Sequence, residues 1–192
     1  MPEIPTLIFV NGPSASGKTY LGREVAKAFD LPFFSKDDFK ELLFDNLGWS
    51  DREWSKKVGH SSFELLWQIA RTTLLADKSL IIETKFDPID AAKRIEEIKA
   101  EKNFNIIEIN CFAQGEILLE RFVERAKNNR HPGHQDLRNL EEFKPDLLVG
   151  RVGPLQIEGI QNIIVDTTDF AKIDLQSIIG RIREFLPDDF GF

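Results

Sequence analysis

The chain has 192 residues, 42% hydrophobic and 30% charged, with a formal net charge of −7. That is enough chain for one domain with a sizeable core and too little for two ordinary ones. The acidic balance argues against a broad nucleic-acid-binding surface, while leaving room for a small cationic pocket. The lone cysteine, Cys111, excludes an intramolecular disulfide. Its neighbours Ile109 and Phe112 point to an inert core thiol in a reducing compartment. The opening MPEIPTLIFV has no basic leader segment, and its apolar run is too short for a signal peptide or a membrane span. The expectation is a cytoplasmic protein.

Taken in chain order, short apolar runs alternate with helical patterns, which predicts an α/β domain on a parallel sheet. Strands are expected over 6–10, 32–35, 79–83, 105–110 and 162–166. Leu80-Ile81-Ile82 and Ile163-Ile164-Val165 have the continuous apolar character of strands covered on both faces. Helices are expected over 18–29, 37–46, 51–77, 88–101, 115–128 and 171–186. Pro88 sits near the first turn of the fourth, and the segment 166–169 offers N-cap residues to the last. Residues 127–146, KNNRHPGHQDLRNLEEFKPD, break this rhythm. They are polar and interrupted by Pro132-Gly133 and Pro145, which predicts a mobile excursion over a site rather than core.

Residues 12–19 read GPSASGKT and satisfy G-x-x-x-x-G-K-[ST] at every fixed position, between a predicted strand and a predicted helix. In that setting the backbone N–H groups from Gly12 through Pro13, Ser14, Ala15, Ser16 and Gly17 cradle a polyphosphate, helped by the positive end of the helix. Lys18 then reaches the β- and γ-phosphates, and the Thr19 hydroxyl ligates Mg²⁺. The motif names a nucleotide triphosphate, expected to be ATP, but not the fate of its γ-phosphate.

The acceptor side is sought at the carboxyl ends of the other strands, where open α/β sheets gather ligands. Ser35-Lys36-Asp37-Asp38 follows the second strand. Asp37 is placed to orient an acceptor hydroxyl and take its proton; alternatively both aspartates only cap the following helix. Glu83 ends the strand LIIET and can hold Mg²⁺ or its waters, bind the acceptor, or stand as a solvated strand end. Arg121 and Arg125 are four residues apart on one helical face, with Arg130 following. They either converge on the nucleotide, stabilising the transferring phosphoryl and stacking on adenine, or pair with Glu120 and Glu124 on a solvated face. His131 and His134 flank Pro-Gly and lack further ligands nearby, so a substrate contact or a surface turn is favoured over zinc. Phe63 and Leu66 read as core, whereas Trp49 and Trp54 stand either in the core or in the wall of an acceptor pocket.

With these residues in place the chain resembles the small P-loop kinases, a group that includes polynucleotide 5′-hydroxyl kinase, chloramphenicol phosphotransferase and zeta-toxin-like kinases. The resemblance runs nearly the full length. SKDDFK looks like the second-strand segment whose first aspartate is the base in the polynucleotide kinase, which implies that role for Asp37. That enzyme carries arginine where this chain has Lys40. LIIET resembles the third-strand acidic segment at Glu83, and ILLERFVERAKNNR the lid helix, with Arg121 and Arg125 at its arginine positions. The implied whole is a three-layer P-loop NTPase fold: a five-stranded parallel sheet, helices on both faces and a helical lid near 121–146. It would use ATP and Mg²⁺ to phosphorylate a hydroxyl-bearing small molecule, with a nucleic-acid acceptor not favoured. The competing expectation is a nucleotide switch or regulatory ATPase that uses water or binds a partner protein.

Overall fold

A computed structural model describes residues 4–186. The two ends of the domain expected over 1–192, residues 1–3 and 187–192, lie outside the described residues. In chain order the elements are β1 (Thr6–Asn11), α1 (Lys18–Phe29), β2 (Phe33–Ser35), α2 (Lys36–Leu47), α3 (Arg52–Leu75), β3 (Leu80–Glu83), α4 (Pro88–Lys99), β4 (Asn105–Phe112), α5 (Gly115–Asn128), α6 (Leu140–Val149), β5 (Gln161–Asp166) and α7 (Leu175–Phe185). The five strands form one sheet in the order β2-β3-β1-β4-β5, parallel at every pairing. This is the predicted α/β fold.

Side-chain alternation along β1 divides the core into two layers. Ile8 and Val10 point to the face covered by α1 and α7, where Leu21, Val25, Ile178 and Ile182 bury against Ile107, Ile109 and Ile163. Leu7 and Phe9 point to the opposite face and meet Leu66, Trp67 and Ala70 of α3 and Ile95 and Ile98 of α4. A central parallel strand covered on both sides must be apolar throughout, which is why LIFV carries no polar alternation. A third cluster joins α5 to α6 through Ala113, Leu118, Phe122 and Leu147.

Local chemistry sets the helix starts. Asp51 accepts from the Trp54 N–H (2.8 Å), and Asp87 accepts from Ile89 and Asp90 N–H groups just ahead of Pro88. The last helix starts later than the sequence predicts. Asp169 caps a single 3₁₀ turn at Phe170–Lys172, and Asp174 then caps α7 through the Ser177 N–H. The expectation for 127–146 also needs correction. Only its first half is irregular; the second half enters α6, with Pro145 inside the helix. Leu140, Phe143 and Leu147 fall on one face and pack on α5 with Leu118 and Phe122, and that apolar stripe outweighs the proline.

One polar knot lies beneath the sheet's carboxyl edge. Glu108, fully buried in β4, accepts from Asn11 Nδ2 (2.8 Å), Asn110 Nδ2 (3.2 Å) and the Leu155 N–H (2.8 Å). Asn11 in turn accepts from the Gly12 and Phe86 N–H groups (2.8 and 3.1 Å), so it fixes both the entry to the 12–19 loop and the turn after β3. Burial pushes the Glu108 carboxyl above its usual range, and the three donors only partly oppose that. Replacing Glu108 with Ala strands these donors without water. Glu108→Ala should therefore lose about 2–4 kcal/mol in urea unfolding, against a change within about 0.5 kcal/mol for an exposed control such as Glu97→Ala.

Candidate functional site

The 12–19 loop leaves β1 and turns into α1 with three residues at positive φ: Gly12 (145°), Ala15 (63°) and Gly17 (77°). Gly17 is required twice over, because a Cβ there would also stand 2.4 Å from the Phe170 ring. Lys18 folds back across the loop, its Nζ donating to the Pro13 carbonyl (3.0 Å) and lying 3.6 Å from Glu83 Oε1. Beside the loop is a cavity of about 380 Å³ lined by Ala15, Gly17, Thr19, Arg121, Arg125 and Phe170. Arg121 is clamped there. Its guanidinium donates to the Thr167 and Thr168 carbonyls (both 2.8 Å) and lies 4.1 Å over the Phe170 ring. The solvated ion-paired face is therefore not where Arg121 resides.

Glu83 is buried at the end of β3. Its Oε2 accepts from Ser35 Oγ (2.6 Å) and Thr19 Oγ1 (3.1 Å). The solvated strand end is thereby excluded. The two side chains expected to serve a metal, Thr19 and Glu83, touch each other at the loop mouth. Mg²⁺ takes one or two protein oxygens and completes its shell with phosphates and waters, so this pair fits the ion's demands.

The two aspartates of α2 separate by role. Ser35 Oγ supplies the cap, accepting from the Asp37 N–H (3.2 Å), so neither aspartate is needed for it. Asp38 points to α1 and pairs with Arg23 (3.0 Å) at the surface. Asp37 faces inward and pairs with Arg130 (2.8 Å). Arg130 also reaches Glu41 (3.3 Å) and Asp136 (3.2 Å), and Arg125 lies 3.7 Å from Asp136. Arg130, expected on the nucleotide's phosphates, is thus engaged by three carboxylates in the cavity that Lys18 also lines. Burial pushes the Asp37 carboxyl up, but Arg130, Lys36 and His134 outweigh it and hold the group well below the usual range. Asp37 is an ionised acceptor at any ordinary pH.

The RHPGH segment is built onto α2. His134, 3% exposed, hydrogen-bonds Glu41 through Nε2 (2.9 Å), and His131 Nε2 lies 3.2 Å from Asp45. Both rings pack on Phe44, and Gly133 lies so close to it that a Cβ would stand 2.6 Å from the ring. Burial lowers the His134 pKa, and its hydrogen bond to Glu41 only partly restores it. No cluster of three His, Cys, Asp or Glu able to hold a metal ion occurs among the described residues.

A second cavity, of about 270 Å³, opens between the loop and α2–α3; Lys18, Asp37, Glu83, Arg130 and Asp136 all line it. Phe122 and Phe143 supply its apolar wall, the part envisaged for Trp49 and Trp54. Trp49 is exposed against His131, and Trp54 donates its indole N–H to the Gly48 carbonyl (2.9 Å). Leu66 is core as expected, and Phe63 packs at the core's edge. Cys111 is buried and its pKa is pushed up to about 12 by burial, as befits an inert thiol.

Lys18 lines both cavities: Thr19, Arg121 and Arg125 share the one beside the loop, and Asp37, Glu83 and Arg130 the other. Sequence reasoning missed Glu41, Asp136 and Phe170. Glu41 carries a readable signal, one helical turn from Asp37; Phe170 and Asp136 lie in irregular segments that carry none. The Asp37–Arg130 pair also makes an acid-side prediction. Because the folded-state pKa of Asp37 is depressed, its stabilisation is complete above the unfolded value of 3.8 and drains as pH falls below it. Stability curves from pH 7 to pH 2.5 should show Arg130→Gln losing less stability than wild type over that fall, having started lower at pH 7. Parallel curves would show that the pair is not formed in solution.

Comparison with known proteins agrees with this geometry. A family model described as an AAA domain matches residues 7–147. A protein of Chloroflexus aurantiacus, described with its crystal structure as a "putative kinase", is 39% identical; the match covers 96% of this chain and 100% of that one, with a TM-score of 0.90. An unliganded sugar kinase from Janibacter sp. is 16% identical over 95% of this chain and 94% of its own, with a TM-score of 0.54, a likeness of fold alone. No curated protein matches the chain. Among the described residues no helix is long and apolar enough to cross a membrane. With its phosphate loop intact and its parallel sheet in the order found here, the chain belongs to this AAA domain family, as a P-loop protein of the small-kinase type.

Proposed function

We propose that the protein is a cytoplasmic ATP-dependent kinase, a single domain over 1–192 that transfers the γ-phosphoryl of ATP to an alcohol hydroxyl of a small molecule. The observation that carries this reading is that Lys18 of the loop and the inward carboxylate of Asp37 line the same cavity. A donor held by the loop and an acceptor held on α2 would meet there, as in-line transfer requires. The name given to the Chloroflexus relative supports the same class.

Residues 12–17 would hold the phosphates through backbone N–H groups, and Lys18 would exchange its bond to the Pro13 carbonyl for the β- and γ-oxygens. Arg121 and Arg125 would frame the nucleotide, with Phe170 offering a stacking face for the base. Thr19 and Glu83 would hold Mg²⁺, which neutralises charge on the phosphates when bound. Asp37, ionised and fixed by Arg130, would accept a hydrogen bond from the acceptor hydroxyl. As the new O–P bond forms and the bond to the β-phosphate oxygen breaks, the hydroxyl proton passes to Asp37 and ADP leaves. A carboxylate of low basicity suits a loose transition state, in which the hydroxyl gives up its proton late. Arg130 acts through Asp37 as a positioning residue.

An ATP-consumption screen across hydroxylated metabolites, nucleosides, antibiotics and 5′-OH oligonucleotides tests the reading. We expect stimulation by small hydroxylated compounds; steady hydrolysis that no acceptor accelerates would favour the ATPase or switch. With an acceptor in hand, Asp37→Asn should lower kcat by about 10²–10⁴-fold while leaving ATP-dependent thermal stabilisation intact. Lys18→Ala should abolish that stabilisation.

A further inference from the structure

We infer that the acceptor is anionic: a hydroxyl-bearing small molecule whose phosphate or carboxylate group docks on Lys40, Lys36 and Ser55 at the α2–α3 end of the cavity. The inference rests on the reading of this cavity as the acceptor side. The cavity wall carries seven lysines and arginines against three carboxylates, in a chain whose net charge is −7. Most of these cations have partners. Arg52 and Lys56 of α3 pair with Glu142 of α6, Lys85 pairs with Asp146, and Arg130 is held by its carboxylates. Lys18 belongs to the loop.

Two cations remain. Lys36 and Lys40 make no ion pair within 4 Å among the described residues, and Lys40 is only 7% exposed. Its ammonium faces the Phe44 ring, 5.4 Å from the ring centre, and Asp37 attracts it without forming an ion pair. Burying an ammonium without a carboxylate is costly, and here burial together with Lys36 depresses its pKa to about 8. Gly59 of α3 faces it, with Nζ at ordinary contact distance (3.4 Å) from where a Cβ would stand. From the next element, Ser55 lines the same cavity with a buried Oγ that has no hydrogen-bond partner. Among the described residues the Lys40 ammonium and Lys36 feel Asp37 only at a distance and form no ion pair, and the Ser55 hydroxyl has no hydrogen-bond partner, so together they make an under-satisfied donor set. An oxyanion supplies what each lacks. Asp37 lines the same cavity, so a molecule anchored here can offer a hydroxyl toward the loop.

The test separates the anion site from the kinase reading. Inorganic phosphate and, separately, acetate are titrated by calorimetry into Lys18→Ala protein, whose loop is disabled, and into Lys18→Ala carrying Lys40→Gln, Ser55→Ala or Lys36→Gln. We expect phosphate or acetate to bind Lys18→Ala and to bind at least about tenfold more weakly once Lys40 is replaced. The better-bound anion identifies the phosphate or the carboxylate class. Circular dichroism and thermal melts check each fold, and half-exposed Lys36 gives a variant that folds even where Lys40→Gln does not. Absence of binding to Lys18→Ala, or unchanged binding in every second-site variant, overturns the inference. In turnover, phosphorylated or carboxylated hydroxy compounds should exceed their neutral counterparts in kcat/KM. A neutral compound that performs better also overturns it. Anion binding without any stimulated turnover would leave this site standing and sink the kinase reading instead.

Discussion

The site depends on the register at which β3 enters the sheet. Val10 of β1 and Ser35 of β2 both stand level with Glu83, which ends β3 between them. Three strand ends therefore converge on one carboxylate, which takes hydrogen bonds from Ser35 and Thr19 and lies beside Lys18. A parallel sheet places all its carboxyl ends on one edge. Inserting β3 between β1 and β2 brings the loop after β1 and the helix after β2 to opposite sides of Glu83. Slipping β3 by one residue would turn Glu83 to the other face, and the donor and acceptor sides would lose the group they share.

Around that centre the irregular segment before α6 is tied to α2 by charge, while α6 itself packs on α5 through Phe122, Phe143 and Leu147. Arg130 draws Asp37 and Glu41 of α2 toward Asp136 of the irregular segment, and His134 closes the group from the other side. Arg52 and Lys56 reach α6 at Glu142, while Lys85 reaches it at Asp146. These last pairs are solvent-exposed, and such contacts contribute little each and weaken with salt. The Arg130 cluster is more shielded from solvent than these outer pairs, so charge pairing holds Asp37 more firmly than it holds the outer rim of α6.

Much of this was legible in the residues. GPSASGKT carries its own conformation and ligand, because each fixed position answers a local demand of phosphate binding. Leu80-Ile81-Ile82 reads as a strand buried on both faces for the same local reason. Placement and the family resemblance favour Asp37 over Asp38, but only the contacts of α2 with α1 and with the Arg130 segment show which aspartate faces inward. The helical character of 140–146 is hidden in the sequence because polarity and Pro145 outweigh an apolar stripe whose partner lies on α5. The ion pairs of Arg130 with Asp37, Glu41 and Asp136 are equally hidden in the sequence, because spacing along the chain gives no hint of those partners.

What the sequence determined by itself is whatever depends on neighbours along the chain: the strand–loop–helix of the phosphate site, the α/β alternation, the apolar strands and the nucleotide they imply. What the tertiary structure alone decided is which charges are paired. Lys36 and Lys40 resemble any lysines of an amphipathic helix until the fold gives Arg52, Lys56, Lys85 and Arg130 their carboxylates and leaves these two without. Pairing is a matter of distances of a few ångströms between residues tens of positions apart, and Coulomb energies at such distances depend on burial that no local pattern encodes.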